Sequence, residues 1–92
     1  MHFTYIVTNP TITTFYAGVT NNLKRRIREH KQNRGKNETF AGRYYCYKLL
    51  YFECHEYIED AIFREKQIKN MSREEKIKLI KTRNPYLQFL VP

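Results

Sequence analysis

The sequence has no tryptophan and only two cysteines in 92 residues. Cys46 and Cys54 form no CxxC pair and have no cluster of histidines beside them. A zinc site is therefore not expected, and the pair reads as reduced thiols of a cytosolic protein. Acidic residues are scarce: nine Asp and Glu stand against seventeen Lys and Arg, for a net charge of +8. That balance favours a polyanionic partner such as nucleic acid, although charge alone leaves ribosome-associated and membrane-surface proteins open. No apolar run approaches the roughly 20 residues of a membrane-spanning helix, and no signal-peptide core is present. The expectation is a soluble cytoplasmic protein. Repeats, linkers and low-complexity segments are also missing, so residues 1–92 read as one small domain with a modest core.

What is present is concentrated between Tyr16 and His30. An aromatic pair, Phe15-Tyr16, leads to Gly18 and then to the turn and cap residues Thr20, Asn21 and Asn22. A basic helix follows, in which four of the six residues from Lys24 to Glu29 are Lys or Arg. Leu23 and Ile27, one turn apart, give it a narrow docking stripe. Arg26 and His30 share a face beside that stripe, while Lys24, Arg25, Arg28 and Lys31 are available to contact phosphates. The helix is expected from about Thr20 to Asn33, with Thr20 or Asn21 as N-cap.

Around this stretch the chain reads as α+β. Residues 2–8 and 13–18 are strands, rich in β-branched and aromatic residues, that should pair as an antiparallel hairpin. Tyr5 and Tyr16 lie one on each strand and can meet across it. Residues 32–43, with Arg34 and Lys36, suit an exposed, mobile, basic loop. Residues 44–52 read as a third strand, expected at the centre of the sheet because its apolar run is nearly unbroken. A helix from about Glu56 to Asn70 should bury Ile58, Ala61, Ile62 and Ile68 together. Glu65 falls within that stripe, where a carboxylate is costly unless paired or bound to a cation. Ser72 to Glu75 is a capping box for a last helix that Asn84-Pro85 ends, and the remaining tail should fold back on the core.

Phosphodiester cleavage needs an activated water and positive charge where the phosphorane develops. Magnesium commonly takes only one or two protein carboxylates. Tyr5, Tyr16, Arg26 and Glu65 could supply such chemistry. Each also has a plainer reading: hairpin packing for the tyrosines, a solvated charge for Arg26, and a salt bridge to Arg26, Arg64 or Lys69 for Glu65.

Five segments in order carry a resemblance: Phe3-Thr4-Tyr5-Ile6-Val7, Tyr16-Ala17-Gly18, Leu23-x-x-Arg26-x-x-x-His30, Ala61-x-x-x-Glu65-Lys-Gln-Ile68-Lys69, and Asn84-Pro85. Together they resemble the small single-domain members of the GIY-YIG nuclease superfamily over about residues 3–88. Two departures are Phe3-Thr4 in place of Gly-Ile and Ala17 in place of Ile. The resemblance implies a central three-stranded antiparallel sheet flanked by helices and a metal-dependent DNA endonuclease. It implies one Mg²⁺ or Mn²⁺ on Glu65, and Tyr5 as general base with its pKa lowered by nearby cations. Tyr16 would orient water or phosphate and Arg26 would stabilise developing charge. His30 would support the site, and Asn84 would position a loop or Glu65. DNA affinity would come from Lys24, Arg25, Arg28, Lys31, Arg34 and Lys36, which favours single-stranded, flapped or branched DNA with strong salt dependence. A homodimer is one way for so small a domain to gain reach. The competing reading is a non-catalytic nucleic-acid-binding module, which the charge and aromatics serve equally well. Glu65 separates the two, because a pure binder gains nothing from a carboxylate beside phosphate.

Overall fold

The computed structural model describes all 92 residues, Met1 to Pro92. Three strands, β1 (His2–Thr8), β2 (Phe15–Thr20) and β3 (Lys48–His55), form one antiparallel sheet in the order β2-β1-β3. The helices are α1 (Leu23–Gln32), α2 (Phe40–Arg43), α3 (Ile58–Lys69) and α4 (Arg73–Lys81). None is long and apolar enough to cross a membrane. This is the expected α+β architecture.

Alternation along β1 sends its side chains to two cores. Tyr5 and Val7 pack on one face with Leu23 of α1, Ala41 of α2, Cys46 and Leu49. Ile6 packs on the other with Ala17, Leu50, Tyr51, Ile68 of α3 and Ile80 of α4. The Thr4 hydroxyl, on that second face, donates to the Ala61 carbonyl of α3 at 2.8 Å. The sheet is thus sandwiched between α1 with α2 and α3 with α4.

The centre of the sheet is β1, not β3 as the apolar run from Tyr44 to Phe52 suggested. An edge strand can be as apolar as a central one when both its faces and its open edge are covered. A register shift opposite Ile6 and Val7 turns both Leu50 and Tyr51 toward the second core. The open edge is met by the tail, whose Leu90 N–H donates to the Leu49 carbonyl at 2.8 Å.

Three further expectations change. The N-cap of α1 is Asn22, whose Oδ1 accepts from the Arg25 N–H at 3.0 Å. Thr20 instead accepts from the Asn22 N–H. In α3 only Ala61 and Ile68 are buried, and Ile58 and Ile62 remain exposed, because α3 meets the sheet along one narrow line. The basic loop after α1 is a structured segment: Gly35 N–H donates to Gly42 O at 2.7 Å, and Ala41 and Gly42 of α2 are buried.

Candidate active site

Tyr5 sits at the middle of the central strand and is 1% exposed. Its phenol has space only because its partner across the hairpin is Gly18. A Cβ there would lie 2.4 Å from the Tyr5 hydroxyl oxygen. The short turn after β2, closed by Thr20 and Asn22, directs α1 back over this face. Leu23 and Ile27 dock the helix, and Arg26 and His30 are brought to the Tyr5 hydroxyl. Arg26 Nε donates to the phenol oxygen at 3.3 Å, and that oxygen lies 2.8 Å from His30 Nε2.

Burial governs the proton inventory. Desolvation pushes the Tyr5 pKa up to about 12, outweighing the opposing pull of Arg26. Nearby cations therefore do not lower it below its ordinary value, contrary to the sequence expectation. Burial, reinforced by the Arg26 charge, takes His30 down to about 4, so its imidazole is neutral at pH 7. Between a protonated phenol and a neutral imidazole the direction of the bond follows the ring tautomer: with the imidazole proton on Nδ1, Tyr5 donates and His30 Nε2 accepts. In that tautomer Arg26, Tyr5 and His30 form one donor chain.

Tyr16 lies diagonally from Tyr5 rather than opposite it, since β1 Val7 is its partner in register. His30 bridges the two, with ring centroids 5.7 Å from Tyr5 and 5.8 Å from Tyr16. From the other side of the sheet, α3 reaches round β2 to place Lys69 Nζ 5.5 Å from the centre of the Tyr16 ring. Lys69 also pairs with Glu65 Oε1 at 3.5 Å. The other candidate partners of Glu65 are engaged elsewhere. Arg64 holds Glu53 at 3.1 Å, and Arg26 pairs with Glu29 at 3.1 Å. No hydrogen bond or ion pair joins Glu65 to Tyr5, Arg26 or His30, so its link to the cluster runs through Lys69 and Tyr16.

The remaining expected residues are distributed more widely. Lys24, Arg25, Arg28 and Lys31 lie on the exposed face of α1, and Arg34 and Lys36 on the exposed segment after it. Asn84 is buried, but its Nδ2 donates to Leu50 O at 2.9 Å and Gln88 O at 2.8 Å, while its Oδ1 accepts from the Gln88 N–H. It ties the tail loop to β3 and makes no hydrogen bond to Glu65. Sequence reasoning did not anticipate Glu29 on the Arg26 guanidinium. For Lys69, the i,i+4 spacing from Glu65 was the available signal.

No group of three or more His, Cys, Asp or Glu side chains converges anywhere in the fold. The Glu65 side chain is 19% exposed and has only Lys69 as partner, on one oxygen. That donor set fits a magnesium-type ion held by one carboxylate and completed by water and phosphate oxygens.

One three-stranded sheet thus carries a buried tyrosine, a basic helix with arginine and histidine beside it, and a glutamate on a later helix. The family model described as the GIY-YIG catalytic domain matches residues 1–78. The chain belongs to the GIY-YIG family. It is 40% identical over 73 residues to a UPF0213 protein of Syntrophus aciditrophicus, a match that spans 78% of this chain and 80% of the relative. A UPF0213 protein of Haloquadratum walsbyi is 37% identical over 78 residues, covering 85% and 84%. The solution NMR structure of the UPF0213 protein BH0048 from Bacillus halodurans matches with a TM-score of 0.58 at 25% identity, over 92% of this chain and 87% of that one. This membership supports an endonuclease-type activity with DNA as substrate.

Proposed function

We propose that residues 1–92 act as a single metal-dependent DNA endonuclease unit, selective for the shape of DNA rather than its sequence and suited to DNA repair or processing. The observation that carries this reading is the Arg26–Tyr5–His30 chain, in which a buried phenol is held between a cation and a neutral base. Arg26 meets the scissile phosphate and stabilises the charge that develops on it. Tyr5 is a relay more than a free base. With the His30 ring proton on Nδ1, it takes a proton from the attacking water as it passes its own to His30 Nε2, so no free phenolate forms. The arriving phosphate offsets the positive charge of Arg26, and His30 then holds the proton more readily. The water oxygen bonds to phosphorus, and the bond to the leaving sugar oxygen breaks. Tyr16, beside His30, orients the phosphate or the water. Glu65 would hold one Mg²⁺ or Mn²⁺, which when bound supplies Lewis-acid stabilisation of phosphate and leaving-group charge.

Affinity comes from Lys24, Arg25, Arg28, Lys31, Arg34 and Lys36, and so from backbone charge. The expected substrates are single-stranded, flapped or branched DNA, bound with strong salt dependence. The reading is tested by incubating labelled single-stranded, duplex and flap DNA with the protein in Mg²⁺, Mn²⁺ or EDTA. Cutting that EDTA abolishes supports it. Salt-sensitive binding without cutting in any metal would instead identify a binding module.

A further inference from the structure

The segment between α1 and β3 is rigid on its inner side and aromatic on its outer side. Within it, Gly35 N–H donates to Gly42 O and Cys46 N–H to Ala41 O at 2.8 Å, and Ala41 and Cys46 are buried. Gly42 is so tightly enclosed that a Cβ would stand 2.6 Å from the Lys36 carbonyl oxygen. A backbone this constrained cannot turn its outer side chains inward. Yet Phe40 and Tyr44 are there, 48% and 44% exposed, with ring centroids 4.6 Å apart. Neither contributes to the buried cores.

Their placement relative to the catalytic cluster is specific. Phe40 stacks on Tyr16 at 6.1 Å and 25°, and Tyr16 in turn meets His30. A ladder of rings therefore runs from buried Tyr5 through His30 and Tyr16 out to Phe40 and Tyr44. Beside it is an open cleft of about 380 Å³ bounded by Phe15, Tyr16, Ala17, Phe40, Lys69 and Lys76. Two lysines at the rim of an aromatic cleft match the anionic backbone and flat bases of a nucleic-acid strand.

We propose that Phe40 and Tyr44 form a base-stacking subsite for an unpaired nucleobase of DNA, on the strand that flanks the phosphate at Arg26, with Lys69 and Lys76 holding the adjoining phosphates. In a continuous duplex, neighbouring base pairs cover the faces of each base. Apart from the outer face of a terminal pair, only a single strand, a flap or a frayed end offers base faces to a protein ring. The subsite thus gives a physical basis for a preference for unpaired DNA. It rests on the nuclease reading only for the position of the scissile phosphate.

The test is equilibrium binding in EDTA, where cleavage plays no part and its absence leaves the result interpretable. Fluorescence anisotropy would compare a single-stranded oligonucleotide with a blunt duplex of the same sequence, using wild type, Phe40→Leu and Tyr44→Leu. Leucine retains apolar bulk but removes the ring face, and both positions lie at the surface, so the fold should survive. The expected result is a loss of roughly 5- to 100-fold for the single strand and little change for the duplex. Independently, a 2-aminopurine in the oligonucleotide should be quenched by wild type and not by Phe40→Leu. Wild-type single-strand affinity in both variants, or equal losses on single strand and duplex, would overturn the proposal.

Discussion

Replacing Gly18 with alanine places a methyl carbon 2.4 Å from the Tyr5 hydroxyl oxygen and 2.6 Å from the ring carbon that bears it. Ordinary contact begins at 3.4 Å, so the phenol must retreat by about 1 Å (3.4 less 2.4). It has nowhere to go, being 1% exposed and packed against α1. Overpacking of this kind costs about 1–3 kcal/mol, equivalent to a melting point lower by roughly 5–15 °C in a domain of this size. The same shift disturbs the 2.8 Å bond to His30 and the 3.3 Å bond from Arg26. A misplacement of about 1 Å at a reacting group can cost on the order of 10²-fold in rate. Thermal melting and single-turnover DNA cleavage measure the two effects separately. Combining Gly18→Ala with Tyr5→Leu removes the collision, so the double variant should be more stable than the sum of the single losses allows, while remaining inactive. A Gly18→Ala protein with wild-type melting and cleavage would show that the Tyr5 phenol is not confined by Gly18.

Other expectations follow from the same geometry. Arg26→Ala should lower the cleavage rate by about 10²–10³-fold, and a rate within a few-fold of wild type in single-turnover assays would remove Arg26 from the mechanism. His30 binds its proton near pH 4 when folded and near 6.5 when unfolded. Between those values the unfolded chain holds more protons, so stability rises with pH there and is lost as pH falls. The contribution is on the order of 2 kcal/mol. Urea denaturation from pH 4 to 7 should show this slope in wild type and a weaker one in His30→Gln; parallel profiles would contradict it. Asn84→Ala leaves the Leu50 carbonyl and the tail without their partner. It should cost about 1–3 kcal/mol, and an unchanged denaturation midpoint would show that the tail needs no such tie.

Much of the fold was legible because local signals agreed with one another. The hairpin followed from two β-prone runs, the capping box at Ser72 and Glu75 marked the start of α4, and Leu23 with Ile27 announced how α1 would dock. Strand order was not legible. Composition reports burial, and β3 is buried by helices and the tail without being central. Helix α2 was hidden because one turn, held by a glycine and by the Thr39 cap, leaves no periodic pattern. At the candidate site, Arg26 and His30 could be placed together from their spacing of four. The protonation of Tyr5 could not be read that way. Its pKa depends on how completely the phenol is desolvated, and that is set by Gly18 and α1, not by the nearest charge. The tie from Asn84 to Leu50 likewise joins residues 34 positions apart, a distance over which a short motif says nothing.

Single-turnover cleavage of a flap DNA by wild type and Glu65→Gln at saturating Mg²⁺, with DNA affinity measured in parallel, decides whether Glu65 serves the reaction. The substitution keeps the size of the side chain and removes the charge that would hold the metal. Binding should be retained, with cleavage lost in the variant and lost in wild type when EDTA replaces Mg²⁺. Cleavage by Glu65→Gln at the wild-type rate would contradict that role for Glu65.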